Sequence, residues 1–230
     1  APGDSLELCP IMKHIRALAI AAAALLAAHL PASAADQEIT IARSVSTTAM
    51  DPGFLREAAT IVDNIFDTLV MRDSKMQLVP GLATSWTAID DTTWEFKLRT
   101  GVTFHDGESF DAEAVKFTID RIIDPQANSP TLSYIRTVAS VEVVDRETVR
   151  IKTNGPDPLL PTRMSRYPAY IVPPIYVEKV GNDVFASKPI GTGPYKLAEF
   201  KPGVRSVHNR NDNYWNTDHE GPYVEQFEAF

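Results

Sequence analysis

Residues 93–121 read TWEFKLRTGVTFHDGESFDAEAVKFTIDR. Trp94, Phe96 and Leu98 alternate with Glu95, Lys97 and Arg99, the period of two that marks a half-buried strand. Gly101 interrupts the alternation, and 102–104 briefly resume it. His105-Asp106-Gly107 is a turn, because Asp-Gly supplies the positive φ that a tight reversal needs. Asp111 can then cap a helix by accepting from the free N–H groups of its first turn. That helix presents Ala112, Val115, Ile119, Ile122 and Ile123 on one face at spacings of three and four. The stretch therefore predicts strand, turn and capped helix. It holds no nucleophile–base pair, no metal-ligand cluster and no phosphate loop. His105, a lone histidine beside Asp-Gly, reads as a turn residue rather than a catalyst. Asp106, Glu108, Asp111 and Glu113 lack the alternating oxygens of a calcium loop and read as solvated turn and cap carboxylates.

The neighbouring segments extend this unit. Asp90-Asp91 turns 78–89 into the Trp94 strand. Val138, Val141, Val143 and Val144 form a strand that Asp145-Arg146-Glu147 folds back onto 148–153, a β-hairpin. The sum is a compact α+β unit over about 71–170. Pro156, Pro158, Pro161, Pro168, Pro173 and Pro174 crowd the connection near its end, as at a crossing between lobes. Upstream, 39–45 reads as a first strand and Ser46-Thr47-Thr48-Ala49-Met50-Asp51-Pro52-Gly53 as a loop with exposed backbone. Ala58, Ile61, Val62, Ile65, Phe66 and Leu69 then predict a helix, so a mixed α/β sheet opens there. Downstream, 175–180 reads as a short helix. Tyr195, Leu197 and Phe200 mark a strand, and Lys201-Pro202-Gly203 turns it back along 204–210. The last strand, 223–230, is expected to leave an unpaired edge, as in a piece of a longer chain. Trp86, Trp94, Phe104, Tyr195 and Trp215 read as core rather than sugar-stacking platforms. Gly191-Thr192-Gly193 lacks a third glycine and precedes a strand, so it is no phosphate loop.

A net charge of −8 argues against a nucleic-acid backbone as partner, which would want a basic face. Lys13, His14 and Arg16 precede an apolar run over 17–30, and Pro31-Ala32-Ser33-Ala34 ends in Ala-x-Ala. This is the pattern of a secretory signal peptide. The run is shorter than the about 20 apolar residues needed to span a bilayer. The natural start is expected at Met12, with 1–11 an upstream extension. The single cysteine, Cys9, precedes the apolar run and so cannot carry a lipid anchor. The exported chain would have neither disulfide nor thiolate chemistry.

The central stretch also forms part of a wider pattern. An aromatic strand ends in K-L-R-x-G-V-x-F-H-D-G and leads, after a polar gap, to F-D-A-E-A-V. Pro80-Gly81-Leu82-Ala83-Thr84-Ser85-Trp86 precedes it. Pro189-Ile190-Gly191-Thr192-Gly193-Pro194-Tyr195 and Arg210-Asn211-Asp212-Asn213-Tyr214-Trp215 follow. In this order the four motifs resemble the periplasmic solute-binding proteins of family 5, which serve peptide, nickel and related ABC importers. The resemblance covers roughly 39–230.

It implies an α/β fold, periplasmic binding protein-like of type II, with an additional α+β domain and truncated here before the second lobe. Residues 1–34 would be extension and signal, 35–70 the first part of the first lobe, 71–170 the additional domain, and 171–230 the incomplete second part of that lobe. It implies a binding protein and not an enzyme, with no cofactor. The ligand would be a peptide or other small solute. The partners would be ABC permease subunits, the membrane being reached only through them, with no nucleic acid. The location would be the periplasm. Ser46, Thr47 and Thr48 would line the cleft and pair their backbone with an extended peptide. Met50, Phe54 and Tyr134 would be pocket walls, although each also reads as ordinary packing. The family's acidic group for a peptide α-amine falls in the part not present, which leaves peptide, nickel complex or another solute undecided. A secreted hydrolase is the alternative from another class, but His105, His208 and His219 have no suitable partner at motif spacing. A non-functional truncated remnant is the third reading. If the signal is cut as the pattern predicts, N-terminal sequencing of the periplasmic product will begin at Ala35 or one residue later. A product that keeps 13–30 would overturn it.

Overall fold

The computed structural model describes residues 38–42, 47–55, 61–166, 169–216 and 226–229. The expected signal segment, Ser46, Ala58 and His219 lie outside them. In chain order the strands are β1 (Glu38–Ile41), β2 (Val70–Arg72), β3 (Leu78–Pro80), β4 (Ala83–Asp90), β5 (Thr93–Leu98), β6 (Val138–Asp145), β7 (Thr148–Thr153), β8 (Tyr195–Lys201), β9 (Arg205–Arg210) and β10 (Gln226–Ala229). The helices are α1 (Ala112–Ile123), α2 (Leu132–Ile135), α3 (Leu160–Arg163), α4 (Pro174–Val180) and α5 (Asn182–Ser187).

The predicted strand, turn and capped helix are β5, the Gly107 reversal and α1. Gly107 has φ 93°, and Asp111 Oδ1 accepts from the Glu113 N–H at 3.1 Å. α1 buries Ala112, Val115, Ile119 and Ile122 as its periodicity requires, and packs on β6 and β7. These strands form an antiparallel sheet in the order β4-β5-β7-β6. Phe96, Val149 and Ile151 are fully enclosed between sheet and helix. Each such side chain contributes about 1.5–3 kcal/mol by leaving water.

A second sheet, β1-β10-β9-β8, joins the two ends of the described chain. β1 runs parallel to β10, while β10 and β8 are antiparallel to β9. The sequence reading expected the last strand to be an unpaired edge. Instead β10 is paired on both sides, and β1 is the edge, with Ile39 and Ile41 exposed. Among the described residues no helix is long and apolar enough to cross a membrane.

The helix expected over 58–69 is also corrected. In its described part only Val62–Asn64 forms a single 3-10 turn. Beyond it the backbone carbonyls are bonded to other segments. Ile65 O accepts from Gly193 N (2.8 Å), Asp67 O from Ile171 N (3.1 Å), Thr68 O from Leu82 N (3.0 Å) and Leu69 O from Ala83 N (2.8 Å). Ile61, Val62, Ile65, Phe66 and Leu69 are all buried. A segment enclosed on every side is apolar at many spacings, including helical ones, so the period misled.

His208 on β9 is fully enclosed. Its ring lies flat against Phe227, 4.2 Å between centroids. Nε2 pairs with Ser206 Oγ at 2.9 Å, and Nδ1 has no hydrogen-bond partner. Burial therefore pushes its pKa down from 6.5 to about 4. The unfolded chain takes up this proton as pH falls through 6.5, while the folded chain resists until about 4. The stability is present above 6.5 and is lost towards 4. Between pH 7 and pH 5 this histidine alone should cost about 2 kcal/mol of unfolding free energy. Urea unfolding of His208→Phe should show a pH 7-to-5 loss smaller by that amount than wild type. An equal loss in both would show that His208 does not carry the dependence.

Candidate functional site

The loop singled out from sequence is described from Thr47 onward. Thr47 is half-buried and Thr48 exposed. The Thr47 carbonyl accepts from Gly203 N (3.0 Å) at the tip of the β8–β9 hairpin. Met50 is fully enclosed, and its N–H donates to Ala186 O at 2.8 Å. An open pocket wall needs an exposed face, so Met50 is core here rather than wall. The Gly53 carbonyl is held by two hydroxyls, Ser129 Oγ at 2.5 Å and Thr131 Oγ1 at 2.9 Å. Tyr134 on α2 follows Thr131 by three residues, with 48% of its surface exposed. Its segment is thus tied to the loop.

Beneath the loop lies a buried ion pair that sequence reasoning missed. Arg121 Nη2 donates to Asp51 Oδ2 at 2.7 Å and to Asn182 Oδ1 at 2.8 Å. Asp51 Oδ1 accepts from Gly53 N at 3.0 Å. Burial pushes the Asp51 carboxyl up, and Arg121 beside it pulls it back. Phe54 packs with its ring 5.2 Å from the guanidinium carbon. The available signal was spacing, since Arg121 follows buried Thr118 by three residues and so shares the inward face of α1.

The sequence motifs themselves converge elsewhere, on Asp67. Its Oδ2 accepts from Thr192 Oγ1 (2.8 Å) and Trp215 Nε1 (2.7 Å), and its Oδ1 from Tyr214 OH (3.0 Å). Burial pushes this carboxyl up while the three donors oppose that. Gly191 and Gly193 lie against the Ile65 backbone. A Cβ on Gly191 would sit 2.0 Å from Ile65 O, and one on Gly193 2.5 Å from Ile65 C, so no side chain fits. His105 Nε2 donates to Gly193 O at 3.0 Å, and its Nδ1 accepts from Gly191 N at 3.4 Å. Burial holds this imidazole neutral, with a pKa of about 4. His105 is therefore more than a turn residue: it staples the turn before α1 to the Gly-Thr-Gly loop. Glu108, read as solvated, instead accepts from Ile175 N (3.0 Å) and Tyr176 N (3.2 Å) at the start of α4.

No group of three or more potential metal ligands occurs among the described residues. Two surface depressions flank the 145–148 turn, of about 310 and 580 Å³, lined by Arg99, Asp111 and Lys97 among others, with Arg146 and Glu147 common to both. They include none of the candidate loop residues.

Over residues 77–229 the sequence matches the profile of bacterial extracellular solute-binding proteins, family 5 Middle. The chain belongs to this family. It is 31% identical over 166 residues to the glutathione-binding protein GsiB of Escherichia coli O1:K1 / APEC, covering 71% of this chain and 32% of GsiB. OppA of Burkholderia pseudomallei shares the fold with a TM-score of 0.77 at 24% identity, over 86% of this chain and 42% of OppA. NikA from Brucella suis, solved with Fe(III)-EDTA, gives 0.73 at 30% identity, over 84% and 39%. This family 5 chain thus spans about a third of the curated relative and about two fifths of the solved ones.

Asp67 is central to the family motifs, and an isosteric change tests it. Asp67→Asn puts an amide N–H₂ where an acceptor is needed, which should cost about 1–3 kcal/mol. Urea unfolding followed by tryptophan fluorescence checks this. An unchanged midpoint would mean that the three donors find other partners.

Proposed function

We propose that this chain is part of an extracytoplasmic solute-binding protein of an ABC importer, which captures a small peptide and delivers it to the membrane permease. Exposure of Thr48, on a loop fixed from below by buried groups, carries the reading. An extended peptide can pair with such a backbone whatever its side chains. Thr47, Thr48 and the exposed Tyr134 are the proposed contacts, with Phe54 at the rim, and the periplasm is the proposed location. Family membership and the glutathione-binding relative support a peptide-like solute. The NikA neighbour, which holds a metal chelate, keeps other small solutes as the second reading.

We also propose the domain division. Residues 35–70 and 171–230 form the first lobe, and 71–170 the additional domain. The β1-β10-β9-β8 sheet supports it by drawing strands from both ends, while β4-β5-β7-β6 comes from 83–153 alone. The facing side of the cleft would come from sequence of the kind the relatives carry beyond the matched part. Binding is favoured over hydrolysis by the state of the described histidines. His105 is committed to backbone groups. His208 and its neighbour Ser206 touch, but both are buried within a sheet.

A titration of the isotope-labelled chain with a tripeptide mixture, read by amide chemical shifts, tests the site. With one wall of the cleft the affinity should be near millimolar, about −4 kcal/mol. Shifts should be confined to 47–54 and the neighbourhood of Tyr134. Shifts centred on the Arg146 turn, or none at all, would sink the proposed site. A submicromolar affinity would overturn the need for a facing lobe.

A further inference from the structure

We propose that Arg121 is the positioning residue of the candidate loop, holding 47–54 at the sheet end in the shape that presents its backbone. The role of the loop rests on the reading above; the placement of Arg121 does not. Arg121 leaves α1, which buries Val115, Ile119 and Ile122, and its side chain is only 12% exposed. One guanidinium joins α1 to two other segments. It bonds Asp51 in the loop and Asn182 at the start of α5. Its central carbon lies 5.2 Å from the Phe54 ring, 5.6 Å from Phe117 and 5.8 Å from Phe185. The planar, delocalised cation suits this place, because it can bond in its plane and stack on rings across it. A lysine ammonium offers a point charge and no plane.

The loop has few other ties among its described residues. Met50 N bonds Ala186 O, the Thr47 carbonyl bonds Gly203 N, and the Gly53 carbonyl meets Ser129 and Thr131. None of these neutralises Asp51, whose side chain is 3% exposed. Without Arg121 a carboxylate would be left buried and unpaired, which is strongly unfavourable. Its nearest escape is outward, because moving a loop costs less than opening a sheet. Removing the guanidinium should therefore release the loop and leave the core standing. Removing the carboxylate as well should relieve the strain that drives the release.

Hydrogen exchange read by mass spectrometry on the whole chain tests this without ligand. Peptides covering 47–55 are compared with peptides covering β5 and β7, in wild type, Arg121→Met, Arg121→Lys and Arg121→Met with Asp51→Asn. In Arg121→Met, exchange over 47–55 should rise about tenfold or more while β5 and β7 are unchanged. The lysine variant should recover part of the protection. So should the double variant, because the charge left unpaired is gone. A rise shared equally by loop and sheets would make Arg121 a fold-wide support and overturn the proposal. So would no rise anywhere, or a double variant as open as Arg121→Met. If Arg121→Met does not fold, the lysine variant against wild type decides on the same local-versus-global split. A released loop together with a failed peptide titration would leave Arg121 as positioner and remove only the peptide reading.

Discussion

The fold depends on one buried carboxylate, that of Asp67. Taking it out of water costs several kcal/mol. Each hydrogen bond to a charged acceptor returns about 1.5–3 kcal/mol, so three donors are the right order to hold it. Those donors are Thr192, Tyr214 and Trp215. They come from the Gly-Thr-Gly loop and from the segment after β9, more than a hundred residues further along the chain. On either side of Asp67 the backbone carbonyls of Ile65, Thr68 and Leu69 receive N–H groups from Gly193, Leu82 and Ala83. Trp215 in turn lies under Arg99, at 4.6 Å from ring to guanidinium carbon, and Arg99 Nε reaches Gly81 O at 3.2 Å. The motifs around 81, 105, 192 and 214, scattered in sequence, are thus one connected knot in space. A partly satisfied network of this kind would be worse than an apolar core, so its members stand or fall together.

The candidate loop repeats the device on a smaller scale. Asp51 is buried as Asp67 is, but it is matched by a cation rather than by neutral donors. The difference has mechanical consequences. The Asp67 knot ties the stretch before β2 to the loop before β8 and to the segment after β9, and backbone hydrogen bonds from Gly193, Leu82 and Ala83 brace the same stretch. The Asp51 pair joins a helix to a short loop, with Asn182 at the start of α5 as the second acceptor. Rigid support with a locally releasable rim is what a site needs if it is to admit and hold a solute.

Much of this was legible in the sequence. Elements whose signals are local were read correctly: β5 and α1 from their periods and the Asp111 cap, β6–β7 and β8–β9 from their turns. The segment 61–69 was misread as a helix because its apolar spacing reflects enclosure on all sides rather than a single buried face. β10 was misread as an edge because its parallel neighbour, β1, lies almost two hundred residues away, and no local pattern reports such pairing. Arg121 and Asp67 escaped for a related reason. A charged residue in a helix or beside an apolar run looks solvated until its partners, distant in sequence, are brought to it. Met50 read from sequence both as pocket wall and as ordinary packing, and only its burial in the folded chain decides for packing.

A site that binds through backbone groups separates ligand choice from fold. The sequence motifs that mark the family spend their polar groups on Asp67 and press their glycines on Ile65. Such a scaffold is constrained by its own buried polar network and not by the solute. On the proposed reading, ligand choice would rest on side chains set around the loop, Tyr134 and Phe54 among them, and on the surface facing it.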